Sequence, residues 1–244
     1  MPKILVSIKD TREACIIRDL NIDIIDLKEI SKPPMGFVGV EKMQAIKKIL
    51  PNIMVTSVTM GNNKNPYSKK IIETANEVIS SGVNYMKIGL FSEDQIVNHK
   101  RFLKEVNFNG CNPICVVLID DIKHIHYLDR LREIGYKGVM LDTINKKQSR
   151  IFDLLSEEEC ISFVRESRIL GMTSGLAGSL TLDDLSDLVL PTIKGFFLGK
   201  MNSLLISFFT TFFSSLFFIS DFLTGLGNGF SISINNFFSV SSLV

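Results

Sequence analysis

The stretch IDIIDLKE, residues 22–29, sets an acid and an amine two positions apart inside an apolar run. Residues i and i+2 of a strand point the same way, so Asp26 and Lys28 share one face and Leu27 takes the other. A buried lysine is rare, because stripping water from an ammonium is costly. Alone, the octet fits a surface strand with one wetted face. Its context argues against that. Comparable apolar runs recur as KILVSI (3–8), NIMVTSV (52–58), NYMKIGL (84–90), PICVVLI (113–119), KGVMLD (137–142), MTSGLA (172–177) and IKGFFL (193–198).

Charged, helix-patterned segments separate these runs. VEKMQAIKKIL (40–50) stops at Pro51, KKIIETANEVISS (69–81) at Gly82 and HIHYLDRLREI (124–134) at Gly135. SEEECISFVRESRIL (156–170) opens with Ser156 and Glu159, the spacing of a capping box, and closes at Gly171. A short helix, LDDLSDLV (182–189), follows Thr181 as its N-cap. Eight strands alternating with helices or helix-sized gaps predict βα units around a parallel sheet. Their spacing suits a closed (β/α)8 TIM barrel, an architecture of about 250 residues. A doubly wound open sheet would place a glycine-rich phosphate loop after the first strand; SIKDTREA stands there instead.

Within a barrel, a polar residue on a strand cannot simply face water. Strand ends at the C-terminal face carry the active site. Asp26 and Lys28 end the second strand. Lys87 ends the fourth, in phase with Tyr85 and Gly89 and out of phase with Met86 and Ile88. Asp142 ends the sixth, in phase with Met140, and Lys9 and Asp10 follow the first. Charges at one level on otherwise apolar strands predict a polar pocket. A lysine in a low-dielectric pocket beside another cation can attack a carbonyl as the neutral amine and form a Schiff base. Asp26 or Asp142 can move protons, with Lys87 as a second acid/base. LAGS (176–179), followed by Thr181, offers an anion nest for a phosphate at Gly178 and Ser179. These residues predict an aldolase-like enzyme acting on a phosphorylated carbonyl compound.

Composition narrows the remaining classes. A formal net charge of +1 gives no reason to expect nucleic acid as a partner. Cys15, Cys111, Cys115 and Cys160 have neither zinc-ligand nor disulfide spacing and read as free thiols of a reducing cytoplasm. His99, His124 and His126 lie in charged stretches that read as helix surface. No metal or other cofactor is expected. MPKILVSIKD enters a strand directly, without a signal-peptide apolar region.

The runs LVSIKD (5–10), IDIIDLKE (22–29), NYMKIGLF (84–91), VMLDTINKKQSRIFDLL (139–155) and LAGSLTLDDL (176–185) resemble the (5-formylfuran-3-yl)methyl phosphate synthases, in order and over about the first 195 residues. The resemblance implies a (β/α)8 lyase. Such an enzyme condenses two molecules of glyceraldehyde 3-phosphate, with loss of one phosphate and water, to a furan aldehyde phosphate on the way to methanofuran. It implies further that Lys28 is the Schiff-base lysine and Lys87 the proton-accepting one, with Asp26, Asp142 and Lys146 as pocket partners. Lys146, in NKKQ, otherwise reads as part of a solvated loop. A cytoplasmic homo-oligomer is expected.

The sequence departs from that family in two places. The glycine- and aspartate-rich stretch usual after the third strand reads MGNNKNPYSKK (60–70), with Asn in place of the acid, which bears on specificity or loop closure. After the eighth strand, where G-x-R-G-A and a charged helix are usual, the text is GFFLGKMNSLL, with Phe197 in the arginine's position. From Met201 to Val244 the only charged residue is Asp221, and most of the 18 Phe lie beyond Gly195. The expected division is therefore a barrel domain over 1–199, incomplete at its eighth βα unit, and an atypical apolar segment over 200–244. Three readings fit that segment: a membrane anchor through 201–226, an oily helix packed between subunits, or text from a shifted reading frame. The alternatives to the synthase are an inactive or membrane-tethered relative that binds triose phosphate, and a different Schiff-base aldolase.

Overall fold

A computed structural model describes residues 3–120, 127–145 and 149–180. Its centre is a sheet of seven parallel strands in chain order: β1 (Leu5–Ile8), β2 (Ile24–Leu27), β3 (Thr56–Thr59), β4 (Tyr85–Leu90), β5 (Asn112–Leu118), β6 (Gly138–Asp142) and β7 (Thr173–Leu176). Helices α1 (Thr11–Ile17), α2 (Val40–Ile49), α3 (Lys69–Ser80), α4 (Ile96–Glu105), α5 (Leu128–Ile134), α6 (Ile151–Leu154) and α7 (Glu157–Ile169) fill the connections, with a 3₁₀ turn at Glu93–Gln95 before α4. Among the described residues this is the curled sheet of a (β/α)8 barrel with seven of its strands. The expected eighth strand (193–198), the 182–189 helix and the 200–244 segment lie outside the described residues. Among the described residues no helix is long and apolar enough to cross a membrane.

Strand alternation sorts the apolar residues into two cores. Val6, Ile25, Leu27, Val58, Met86, Ile88, Val139 and Leu141 point outward and pack beneath the helices. Leu5, Ile24, Ile114, Val116, Leu118 and Met140 point into the barrel. Burial on both faces is why these strands read as nearly continuous apolar runs.

Local signals place most boundaries. Ser156 Oγ accepts from Glu159 N at 3.2 Å and Glu159 Oε2 accepts from Ser156 N at 2.7 Å, so the capping box forms as expected. The third strand starts at Thr56, later than the 52–58 run, because Pro51 to Val55 form the turn into it. Asp10 is the N-cap of α1, its Oδ1 accepting from Glu13 N at 2.9 Å, and Lys9 N donates to Glu13 Oε2 at 2.8 Å. The Asp10 carboxylate is thus committed to this helix start, along with the Lys9 backbone N–H.

His99 corrects an expectation. It lies on α4 in the Ile96, His99, Phe102 stripe that turns toward the sheet, and it is fully buried rather than on the helix surface. Its Nδ1 pairs with the Tyr136 hydroxyl at 2.5 Å, and burial holds the imidazole down to about 4. His124 and His126 lie outside the described residues. Among the described residues no cluster of His, Cys, Asp and Glu could hold a metal ion, and all four cysteines are free thiols.

Candidate active site

Inward-facing positions of three adjacent strands build the centre of the site. The register sets Ser7 of β1 beside Asp26 of β2, and Asp26 beside Ser57 of β3. Asp26 is fully buried. Its Oδ2 accepts from Lys87 Nζ at 2.6 Å and from Ser7 Oγ at 3.0 Å, and its Oδ1 accepts from Ser57 Oγ at 2.5 Å. Burial pushes the Asp26 carboxyl upward. The charges of Lys87 and Lys28 and the hydrogen bonds from Lys87 and Ser57 outweigh it, so the group lies below the ordinary carboxylate range. Asp26 is therefore an anion at neutral pH, with three donors converging on its two oxygens.

Lys87 is 4% exposed. Lys28, just past the end of β2, reaches the other carboxylate, its Nζ lying 3.7 Å from Asp142 Oδ2. Asp142 ends β6, is buried, and accepts on Oδ1 from Thr143 N at 2.9 Å. The two amines thus share one largely closed region and act on the same Asp26 charge. Lys28 and Asp142 meet at the C-terminal ends of β2 and β6, whereas Lys87 is the third of the six residues of β4 rather than its end, because that strand runs on to Leu90. Two such amine–carboxylate pairs suit proton transfer and amine chemistry on a carbonyl.

The family model of the 4-HFC-P synthases matches residues 4–197. This chain belongs to that family. The (5-formylfuran-3-yl)methyl phosphate synthase of Methanococcus maripaludis strain C7 is 31% identical over 197 residues, covering 75% of this chain and 81% of the relative. The synthase of Methanococcus aeolicus is 29% identical over 198 residues, covering 75% and 82%. The chain is thus related to enzymes over its barrel. Among solved structures, an HpcH/HpaI aldolase from Desulfitobacterium hafniense superposes with a TM-score of 0.56 at 8% identity, covering 88% of this chain and 92% of that one. KGPDC from Streptococcus mutans superposes with a TM-score of 0.52 at 14% identity, covering 82% and 88%. At such identities the likeness is one of fold.

In this 4-HFC-P synthase family member, the structure brings together Asp26, Lys28, Lys87 and Asp142 of the residues expected from sequence. Gly178 and Ser179 follow β7 with φ of 112° and 53°. Gly178 lies against the end of β6: a Cβ there would come within 2.8 Å of Thr143 Cγ2. The LAGS turn is thereby placed one residue from Asp142. Lys146 lies outside the described residues. Sequence reasoning missed Ser7 and Ser57. Each is an isolated hydroxyl at an inward position of a short strand, and parity counting from Asp26 would have flagged them only with the register known.

Proposed function

We propose that this protein forms (5-formylfuran-3-yl)methyl phosphate from two molecules of glyceraldehyde 3-phosphate through a Schiff base on Lys28. Family membership supports the product. The observation that supports the chemistry is the buried Asp26, held at 2.6 Å by Lys87 and within the field of Lys28. Lys28 passes a proton to Asp142 and attacks the aldehyde carbon. Loss of water gives the imine, whose α-carbon can release a proton to a neighbouring base. Lys87, anchored by Asp26, moves protons during carbon–carbon bond formation and the later eliminations. The Gly178–Ser179 turn presents backbone donors to a substrate phosphate. Two triose phosphates less one phosphate and two waters give the furan aldehyde phosphate without net oxidation, so the stoichiometry asks for no redox cofactor. A cytoplasmic lyase of methanofuran biosynthesis, working as a homo-oligomer, is the setting this reading carries.

Borohydride reduction in the presence of glyceraldehyde 3-phosphate tests it. One reduced triose phosphate should be found on Lys28 by peptide mass spectrometry, and Lys28→Arg should abolish it. An adduct elsewhere, or none, overturns the Schiff-base assignment. The family match ends at 197, before the Phe- and Ser-rich segment, which favours one second reading: a chain that binds triose phosphate without turnover. Ligand-dependent stabilisation without phosphate release would select it.

A further inference from the structure

The connection from β2 to α2 folds back over the barrel mouth. Glu29 N donates to Gly36 O at 2.8 Å and Lys32 N to Glu29 O at 3.2 Å, so residues 29–36 close on themselves. Thr59 Oγ1, from the inward end of β3, donates to the same Gly36 carbonyl at 2.6 Å. Gly36 has no room for a side chain, since a Cβ would lie 2.1 Å from Glu29 O. The tip of the loop is held from outside by one side chain. Asn62 Oδ1 accepts from Met35 N at 3.0 Å, while its Nδ2 donates to Lys32 O at 3.1 Å and to Pro33 O at 3.2 Å. An amide can accept and donate from one short side chain; a carboxylate of the same shape would set its second oxygen against two carbonyls.

The consequence of this clamp is the placement of Met35. Its side chain is 1% exposed and joins the barrel-interior cluster with Phe91, Val116 and Leu118. It lies over Gly89, where a Cβ would come 3.2 Å from Met35 Cγ and 2.9 Å from Phe91 Cε2. Gly89 is the next inward-facing position of β4 beyond Lys87. The Met35 side chain therefore stands over the inward-facing position of β4 that follows Lys87. The gap that Lys87 lines together with Leu5, Ser57, Tyr85, Ile114 and Met140 is only about 10 Å³. A carbonyl substrate that approaches Lys87 past Gly89 meets Met35, a flexible side chain able to swing aside.

We propose that Asn62 is a positioning residue that seats Met35 in the barrel mouth, and that Met35 sets the chain length of the phosphorylated aldehyde that reaches the lysines, admitting three carbons and excluding four. The inference rests on the Schiff-base reading of Lys28. It adds the residue that selects the substrate and the one that holds the selector.

The experiment has two arms on the full chain. In the first, borohydride trapping at Lys28 is timed with glyceraldehyde 3-phosphate and with erythrose 4-phosphate, both open-chain aldehydes. One carbon against a filled pocket is worth roughly 10–200-fold, so the wild type should favour the triose at least tenfold. Met35→Ala and Asn62→Ala should each bring that ratio to within about threefold of unity. In the second arm, amide exchange at Met35 and Gly36 should quicken about fivefold in Asn62→Ala. The near-isosteric Asn62→Asp should behave in the same way, which a purely space-filling role for Asn62 would not produce. An unchanged chain-length ratio in a folded Met35→Ala overturns the selector. Unchanged exchange in both Asn62 variants overturns the clamp. No wild-type adduct with either aldehyde overturns the Schiff-base reading and the selector built on it, while the exchange arm still decides the clamp.

Discussion

Replacing Asp26 by Asn tests the centre of the site with the fewest assumptions. The change keeps the volume and an acceptor oxygen for one of the two hydroxyls. It removes the charge that Lys87 Nζ meets at 2.6 Å. Lys87 is 4% exposed, so water cannot readily replace the lost partner. Breaking a buried ion pair by removing one member costs about 3–5 kcal/mol, because the other charge is left uncompensated. Much of the marginal stability of a domain is at stake, and equilibrium urea unfolding at neutral pH, with unchanged m-value, is the assay. The companion variant Asp26→Asn/Lys87→Met removes both charges at similar volume and should recover most of the loss. The pH dependence supplies a second reading. The folded-state pKa of Asp26 lies below its model-compound value of 3.8, so its contribution is complete above that value. It is lost as pH falls through the folded-state pKa, and this acid limb should vanish in Asp26→Asn. A cost under about 1 kcal/mol, the range of an exposed pair, would refute the buried ion pair and the proton path built on it.

His99 should make the fold acid-sensitive at milder pH. Its folded-state pKa of about 4 is below its ordinary 6.5, so the unfolded chain binds the proton more readily. Stability should be full above 6.5 and fall as pH drops from there toward 4, by up to about 3 kcal/mol; a flat profile over that range, or one that persists in His99→Leu, would contradict this. Gly36→Ala should disturb the site more than Gly89→Ala. The first drives a Cβ to 2.1 Å from a backbone carbonyl, whereas the second meets the movable ends of Phe91 and Met35. Lys28 adduct formation should fall by at least about tenfold in Gly36→Ala, as expected of a displaced reacting geometry. The reverse order of the two variants would show that the loop is not held as described.

How much of this was legible beforehand differs from residue to residue. Asp26, Lys28, Lys87 and Asp142 stood out because a charge inside an apolar strand has few explanations once both strand faces are buried. Lys9 and Asp10 carry the same charges at the same level, yet Asp10 serves as a helix cap and Lys9 gives its backbone N–H to Glu13. For Asp10, two residues past the end of β1, the local geometry of a helix start outweighs position in the barrel. His99 was misread as surface because nearby charges dominate its window, while the 3.6-residue period through Ile96 and Phe102 turns it inward. The Asn62 clamp joins a side chain to a loop 27 residues earlier, a pairing that no local pattern announces.

Alternation, stop signals and the placement of charge at strand ends are properties of neighbouring residues. They are written in the order of the chain, and from them alone followed a parallel βα architecture and four of the pocket residues. Which oxygen meets which amine, which hydroxyls complete Asp26, and which thioether stands in the mouth depend on strand register and loop return. Those are settled only when distant segments compete to bury the same surface, since their hydrogen bonds form between residues that the sequence keeps far apart.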